Sequence, residues 1–164
     1  DSGLRGDGAL DTAADSGGAV VIMHMQGTPE MMQAAPSYGF APVEIYEFLE
    51  DRIEAALAAG IPRERIAVDP GFGFGKTVQH NLALVNFAAM FHGLGVPVLI
   101  GVSRKSSIAA MSSGEDSDNR LAGSLGLAMA TVVQGCQLLR VHDVAETRQA
   151  LDIQAALAGG ADAG

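Results

Sequence analysis

A parallel α/β fold is predicted by three features of this sequence. Four apolar runs of strand length occur at residues 19–25, 66–68, 96–102 and 137–142. Of these runs, the first lacks the apolar–polar alternation of a one-sided sheet and reads as a strand buried on both faces. Helix signals separate them, at strand-to-strand intervals of roughly 30 to 45 residues, the cadence of βα units.

The elements follow in order. Residues 1–18 are small and polar, with a short helix over 9–14. The first strand, 19–25, runs into Gln26-Gly27-Thr28-Pro29, and Glu30, Met31, Met32 and Gln33 read as loop or a single helical turn. Pro42 suits the first residue of a helix, with Glu44 and Glu47 in its opening turns near the positive end. Ile45, Leu49, Ile53 and Leu57 recur at helical spacing, and Gly60-Ile61-Pro62 stops the element. The second strand ends on Asp69 and opens into Pro70-Gly71-Phe72-Gly73-Phe74-Gly75-Lys76. Residues 80–91 form a helix with Leu82, Val85 and Ala89 on one face, stopped by Gly93 and Gly95. The third strand runs into Ser103-Arg104-Lys105-Ser106, and a polar tract, 112–119, precedes a small-residue helix over 120–134. The fourth strand carries Arg140 and His142. Asp143 then caps a last helix, with Glu146 three residues on completing a box-like cap, and residues beyond Leu157 fray.

With 164 residues, 48% apolar and 18% charged, the chain builds one domain with a real core. No run reaches the length of a membrane span, and the first residues lack the build of a signal peptide. The net charge of −9 argues against nucleic acid or an anionic membrane as partner. A single cysteine, Cys136, precludes an internal disulfide, reads as core, and fits a reducing cytoplasmic setting.

In an acidic chain the cations are informative. Both lysines, Lys76 and Lys105, follow apolar runs, Arg104 adjoins Lys105, and Arg140 ends the fourth run. In parallel α/β folds ligands bind at the carboxyl ends of the strands. This rule gathers Met23 and His24, Asp69, Ser103 to Lys105, and Arg140 with His142 into one site for an anionic small molecule. His24, beside an apolar strand, reads as structural rather than as a ligand, and His80 and His92 receive no role. The triplet Gly75-Lys76-Thr77 resembles the end of a phosphate-binding loop. That pattern needs glycine at position 70, where Pro70 stands, and a helix beginning sooner than expected here, so it is rejected.

Four motifs together point to a family. Met23-His24-Met25-Gln26-Gly27, Asp69-Pro70-Gly71-Phe72-Gly73-Phe74-Gly75-Lys76, Ser103-Arg104-Lys105-Ser106 and Arg140-Val141-His142-Asp143-Val144 resemble, in order and spacing, bacterial dihydropteroate synthase. The resemblance implies a (β/α)8 barrel of the TIM type, of which this chain, a single pterin-binding domain over 1–164, supplies roughly the C-terminal half. It implies the joining of 6-hydroxymethyl-7,8-dihydropterin pyrophosphate to p-aminobenzoate in folate synthesis, the step sulfonamides target. Asp69 would then take the amino-pyrimidine edge of the pterin, Met23 would lie against its ring and Lys105 would reach its carbonyl side. Arg140 and His142 would hold the pyrophosphate. Gly73, Phe74 and Ser103 would border p-aminobenzoate. Lys105, Arg140 and His142 are thus the catalytic candidates. The family also implies magnesium, with its main ligand in a preceding N-terminal portion, and a homodimer. None of the metal ligands is expected in this chain, and the chain by itself is expected not to turn over.

Two alternatives remain at this point. One is a pterin-binding domain of the methyltetrahydrofolate methyltransferase type, against which the Ser-Arg-Lys-Ser and Arg-Val-His-Asp motifs count. The other is a non-catalytic half-barrel that associates with a partner chain.

Overall fold

The computed structural model describes residues 2–27, 32 and 35–159. Four short strands, β1 (Val20–Met23), β2 (Ile66–Asp69), β3 (Leu99–Ile100) and β4 (Leu138–Leu139), alternate with helices. β1 pairs parallel with β2, placing Met23 opposite Asp69, and β3 pairs parallel with β4. A parallel bridge between Val68 and Val98, with Val68 N–H donating to Pro97 O at 2.9 Å, joins the two pairs. The array therefore runs β1-β2-β3-β4, each strand beside the next in sequence, and all strands end on the same side. Consecutive parallel neighbours joined by helical crossovers are the pattern of a (β/α) barrel wall.

The third and fourth strands are shorter than the apolar runs that encode them. Pro97 and Gly101 flank β3, and only residues 99–100 keep a regular ladder with β4. The core lies between the array and its helices, with Ile22, Val68, Val98, Ile45, Leu49 and Phe91 fully buried. Cys136 belongs to this core, and burial pushes its thiol up to about 11.

Helix α1 spans Ala9–Ser16, two residues beyond the expected helix, and ends on Gly17 at φ 67. In α2 (Ala41–Ala58), Ile45, Leu49, Ile53 and Ala56 face the core, while Leu57 is only partly buried. At about 100° per residue, strict fourfold spacing has drifted about 120° by Leu57, and Ala56 is nearly back in line with Ile45. Helix α3 (Val78–Asn86) starts earlier than expected and gives way to a 3-10 stretch, Ala88–Leu94. Its cap explains the early start: Thr77 Oγ1 accepts from His80 N–H at 3.2 Å, and His80 Nδ1 accepts from Thr77 N–H at 3.3 Å. His80, assigned no role from sequence, thus closes a capping box.

The chain then turns through a short helix that the sequence did not announce, α4 (Ser106–Met111), before α5 (Leu121–Val133). Helix α6 (Val144–Gly159) is helical through Ala158 and Gly159, where fraying was expected. The tail from Gly160 onward, like Glu30, Met31 and Gln33 in the first loop, lies outside the described residues. Asp143, expected as a capping side chain, instead gives both carboxylate oxygens to Arg104, and its main chain starts α6 by accepting from Thr147 N–H at 3.0 Å.

Candidate active site at the strand ends

The site begins with the acid. Asp69 ends β2 and is 4% exposed, and its Oδ1 accepts from Gly71 N–H at 2.7 Å. Burial raises its pKa, while the Gly71 hydrogen bond, then Arg140, Lys76 and Lys105, pull it back. A carboxylate so placed offers its remaining lone pairs to a ligand with parallel N–H donors.

The glycine-rich loop is folded tightly against β1. Gly71, Gly73 and Gly75 all have positive φ, 72°, 81° and 63°. A Cβ on Gly71 would lie 1.9 Å from His24 O, and one on Gly75 would lie 2.7 Å from Gln26 O. Only glycine allows that approach. Tyr38 Oη donates to Gly75 O at 2.9 Å, holding the loop from the other side. Lys76 then turns inward. Its Nζ donates to Gly71 O and Phe74 O at 2.9 Å each and meets His24 Nδ1 at 3.0 Å. The helix after Lys76 follows at once, contrary to one ground for rejecting a phosphate loop, but the burial of Lys76 removes the phosphate role itself.

Beyond the loop, cations gather. Lys105 Nζ sits 3.9 Å from the centroid of the Phe74 ring, a cation–π contact, and its stem covers Gly73, where a Cβ would meet Lys105 Cδ at 3.2 Å. Burial lowers the Lys105 pKa, Arg140 lowers it further, and Asp69 opposes both. The Arg140 guanidinium lies over Gly101, where a Cβ would meet Nη2 at 3.1 Å. Ser103 is buried and its Oγ accepts from His142 N–H at 3.2 Å and meets His142 Nδ1 at 3.0 Å. Phe74, Gly101, Ser103, Arg104, Lys105, Arg140 and His142 border a cleft of about 420 Å³.

The predicted residues are thus brought together in two groups. Met23, Asp69, Gly73 and Phe74 lie at the β1–β2 end, Ser103, Arg140 and His142 at the β3–β4 end, and Lys105 spans the two. Ser103 and His142, assigned from the resemblance to different substrates, are directly hydrogen-bonded.

Two supports escaped sequence reasoning. Asn81, fully buried on α3, accepts from Gly73 N–H at 2.8 Å and donates to Ser107 Oγ at 3.0 Å, tying the glycine-rich loop to α4. Arg104 adopts φ 58 between Ser103 and Lys105, and its side chain turns to the acidic rim of the cleft. There it pairs with Asp143 at 2.5 and 3.1 Å and with Asp118 at 3.2 Å, and this pairing holds the Asp143 carboxyl below its usual range. Finally, His24 is structural, as the sequence suggested: burial and then Lys76 push its pKa down to about 3, and its ring stands edge-on to Phe48. An asparagine early in a helix and an arginine between two site residues carry no distinguishing pattern in one sequence.

Parallel strands ending together on a buried acid and a ring of cations define a ligand-binding α/β protein of the strand-end type. Comparison with known proteins narrows the class. Residues 2–142 match the family model described as pterin binding enzyme. The dihydropteroate synthase of Escherichia coli strain K12 is 43% identical over 150 residues, covering 92% of this chain and 53% of that protein. The crystal structure of dihydropteroate synthase from Stenotrophomonas maltophilia, with imidazole bound in its active site, superposes with a TM-score of 0.92 at 44% identity, over 94% of this chain and 58% of that one. The Xanthomonas albilineans enzyme in complex with 7,8-dihydropteroate superposes with a TM-score of 0.88 at 43% identity, over 94% and 56%. The chain belongs to the pterin binding enzyme family. Its four βα units are a substantial part of a TIM-type barrel, and the chain spans about half the length of the curated relatives it matches.

Proposed function

We propose that this chain carries the pterin-facing and anion-holding part of a dihydropteroate synthase. The observation that carries the reading is the buried Asp69 at the end of β2, opposite Met23, with Lys105, Arg140 and His142 along one side. Asp69 accepts the paired N–H donors of the pterin's amino-pyrimidine edge, Met23 packs on its ring and Lys105 donates to its carbonyl side. Arg140 and His142 hold the pyrophosphate of 6-hydroxymethyl-7,8-dihydropterin pyrophosphate, and Gly73, Phe74 and Ser103 border p-aminobenzoate.

In the reaction the C–O bond from the pterin methylene to pyrophosphate breaks, and pyrophosphate leaves with the electron pair. The amine nitrogen of p-aminobenzoate forms the new C–N bond and loses one proton. The leaving group is already good, so catalysis rests on charge stabilisation and positioning, not on a strong base. Magnesium, which takes one or two carboxylates together with substrate phosphate oxygens and waters, would assist the departure of the pyrophosphate, with its main protein ligand outside the described residues. Each step above uses the chain's own cations. Those cations favour the synthase over a methyltransferase, whose ligand has no departing diphosphate.

A homodimer and a cytoplasmic setting complete the proposal. Val133, Ile153 and Leu157 on α5 and α6, each more than 60% exposed, support association, and the thiol Cys136 supports a reducing compartment. Among the described residues no helix is long and apolar enough to cross a membrane.

The test is calorimetric titration of the 164-residue polypeptide with the pterin pyrophosphate. The parent binds and Asp69→Ala loses at least tenfold in affinity, the scale of a charge-assisted hydrogen bond. Equal binding by the two removes the assignment of Asp69, and no binding by the folded parent removes the pterin reading of this chain.

A further inference from the structure

Lys76 is a cation of the site that turns into the glycine-rich loop, away from the cleft. It is 4% exposed, and three acceptors surround its Nζ: Gly71 O, Phe74 O and His24 Nδ1. An ammonium has three N–H donors, so each finds a partner, and His24 must accept through Nδ1 and carry its own proton on Nε2. A charge this deep needs a counter-ion, and the acid that acts on it is Asp69, through Gly71 and not by direct contact. Gly71 joins them. Its N–H donates to Asp69 Oδ1 at 2.7 Å and its C=O accepts from Lys76 Nζ at 2.9 Å, so one residue at φ 72 has the carboxylate on one side and the ammonium on the other.

The other charged groups facing Asp69 are differently placed. Lys105 comes from the loop after β3 and is half-buried on the Phe74 ring, and Arg140 comes from the end of β4 and is exposed in the cleft. Both are positioned to engage an incoming anion. His24, with Arg5 nearby, faces Lys76 from β1 and is neutral. Lys76 has its three donors committed to Gly71, Phe74 and His24.

We infer that Lys76 is a positioning residue for the ligand-facing acid: its buried ammonium, held by His24, Gly71 and Phe74, fixes the Asp69–Gly71 turn and lends the Asp69 carboxylate a counter-charge from its protein side. Only the identity of the ligand rests on the pterin reading; the charge relation does not. A plain structural staple would hold the loop without governing the charge on Asp69.

The two roles separate in a titration. The Asp69 carboxyl is followed by carbon-13 NMR against pH in the unliganded parent chain, in Lys76→Met and in Lys76→Arg. Removing an opposite charge at this range raises the Asp69 midpoint by about one pH unit in Lys76→Met, and Lys76→Arg returns it toward the parent. An unchanged midpoint in Lys76→Met overturns the inference. Should that variant not fold, the parent decides: when Lys76, whose pKa burial lowers, gives up its proton, the Asp69 signal shows a second step, and the absence of any second step up to alkaline pH is equally fatal. Pterin pyrophosphate binding supplies the functional arm. At pH values below the acid limb, Lys76→Met binds about tenfold more weakly than the parent, and well above the limb the gap narrows. A parent that shows the NMR steps but does not bind pterin sinks the functional reading and leaves this one standing.

Discussion

Replacing Gly71 with alanine probes the contact on which the site's geometry depends. Gly71 has φ 72, and a Cβ there would lie 1.9 Å from His24 O and 3.0 Å from His24 C. Both are main-chain atoms, and they are not free to retreat, because His24 N–H donates to Asp69 O at 2.9 Å at the end of the β1–β2 ladder. Gly17 provides the control. It has a similar φ of 67, but a Cβ there meets nothing within 4 Å. Gly17→Ala therefore incurs only the left-handed backbone penalty, about 1 kcal/mol. Gly71→Ala incurs the same penalty, an overpacking cost of about 1 to 3 kcal/mol, and the strained His24–Asp69 hydrogen bond at about 1 kcal/mol. The expected total is about 3 to 5 kcal/mol. Urea unfolding of the parent and both variants, followed by circular dichroism, measures the difference directly. Equal destabilisation of the two variants would show that the loop does not approach β1 as described.

Two further outcomes follow from buried polar groups. Asn81→Ala removes the acceptor of Gly73 N–H and the donor to Ser107 Oγ, which costs about 1 to 3 kcal/mol and weakens ligand binding through the loosened loop; unfolding and calorimetry on one sample test both, and stability within about 0.5 kcal/mol of the parent, the ordinary scatter of surface substitutions, contradicts the tie. Acid should destabilise the fold through His24. Its folded pKa, about 3, lies below the ordinary 6.5, so the unfolded chain binds the extra proton first. Stability is then fully present above pH 6.5 and is lost as pH falls toward 3, by about 2 kcal/mol at pH 5 from this residue alone. Unfolding free energies from pH 7.5 to 5 check the slope, and a His24→Phe variant with an equally steep slope would place the acid sensitivity elsewhere.

Much of the architecture was legible because its causes are local. Unalternating apolar runs at βα intervals belong to a parallel sheet in any context, and an acid at the end of one run with cations at the ends of others falls on one side by topology alone. Hence Asp69, Ser103, Lys105, Arg140 and His142 are assigned to one end of the sheet by sequence alone, and the structure brings them to that end. The misreadings were also local in origin. Leu57 satisfied a spacing of four but not of 3.6, and Asp143 had the residue type of a cap but met a stronger partner in Arg104.

What the tertiary structure decided is which polar groups are buried and what they face. The sequence shows Lys76 after three glycines, equally suited to phosphate or to solvent; only the packing of the loop onto β1 turns its Nζ to His24, Gly71 and Phe74. It shows Asn81 as one helical residue among several; only the approach of α3 to α4 makes it a tie between Gly73 and Ser107. Composition and period specify where apolar surface goes, because hydrophobic burial is non-directional. Hydrogen bonds and buried charges are directional and short-ranged, so their partners exist only once distant segments have been brought within about 3 Å of one another.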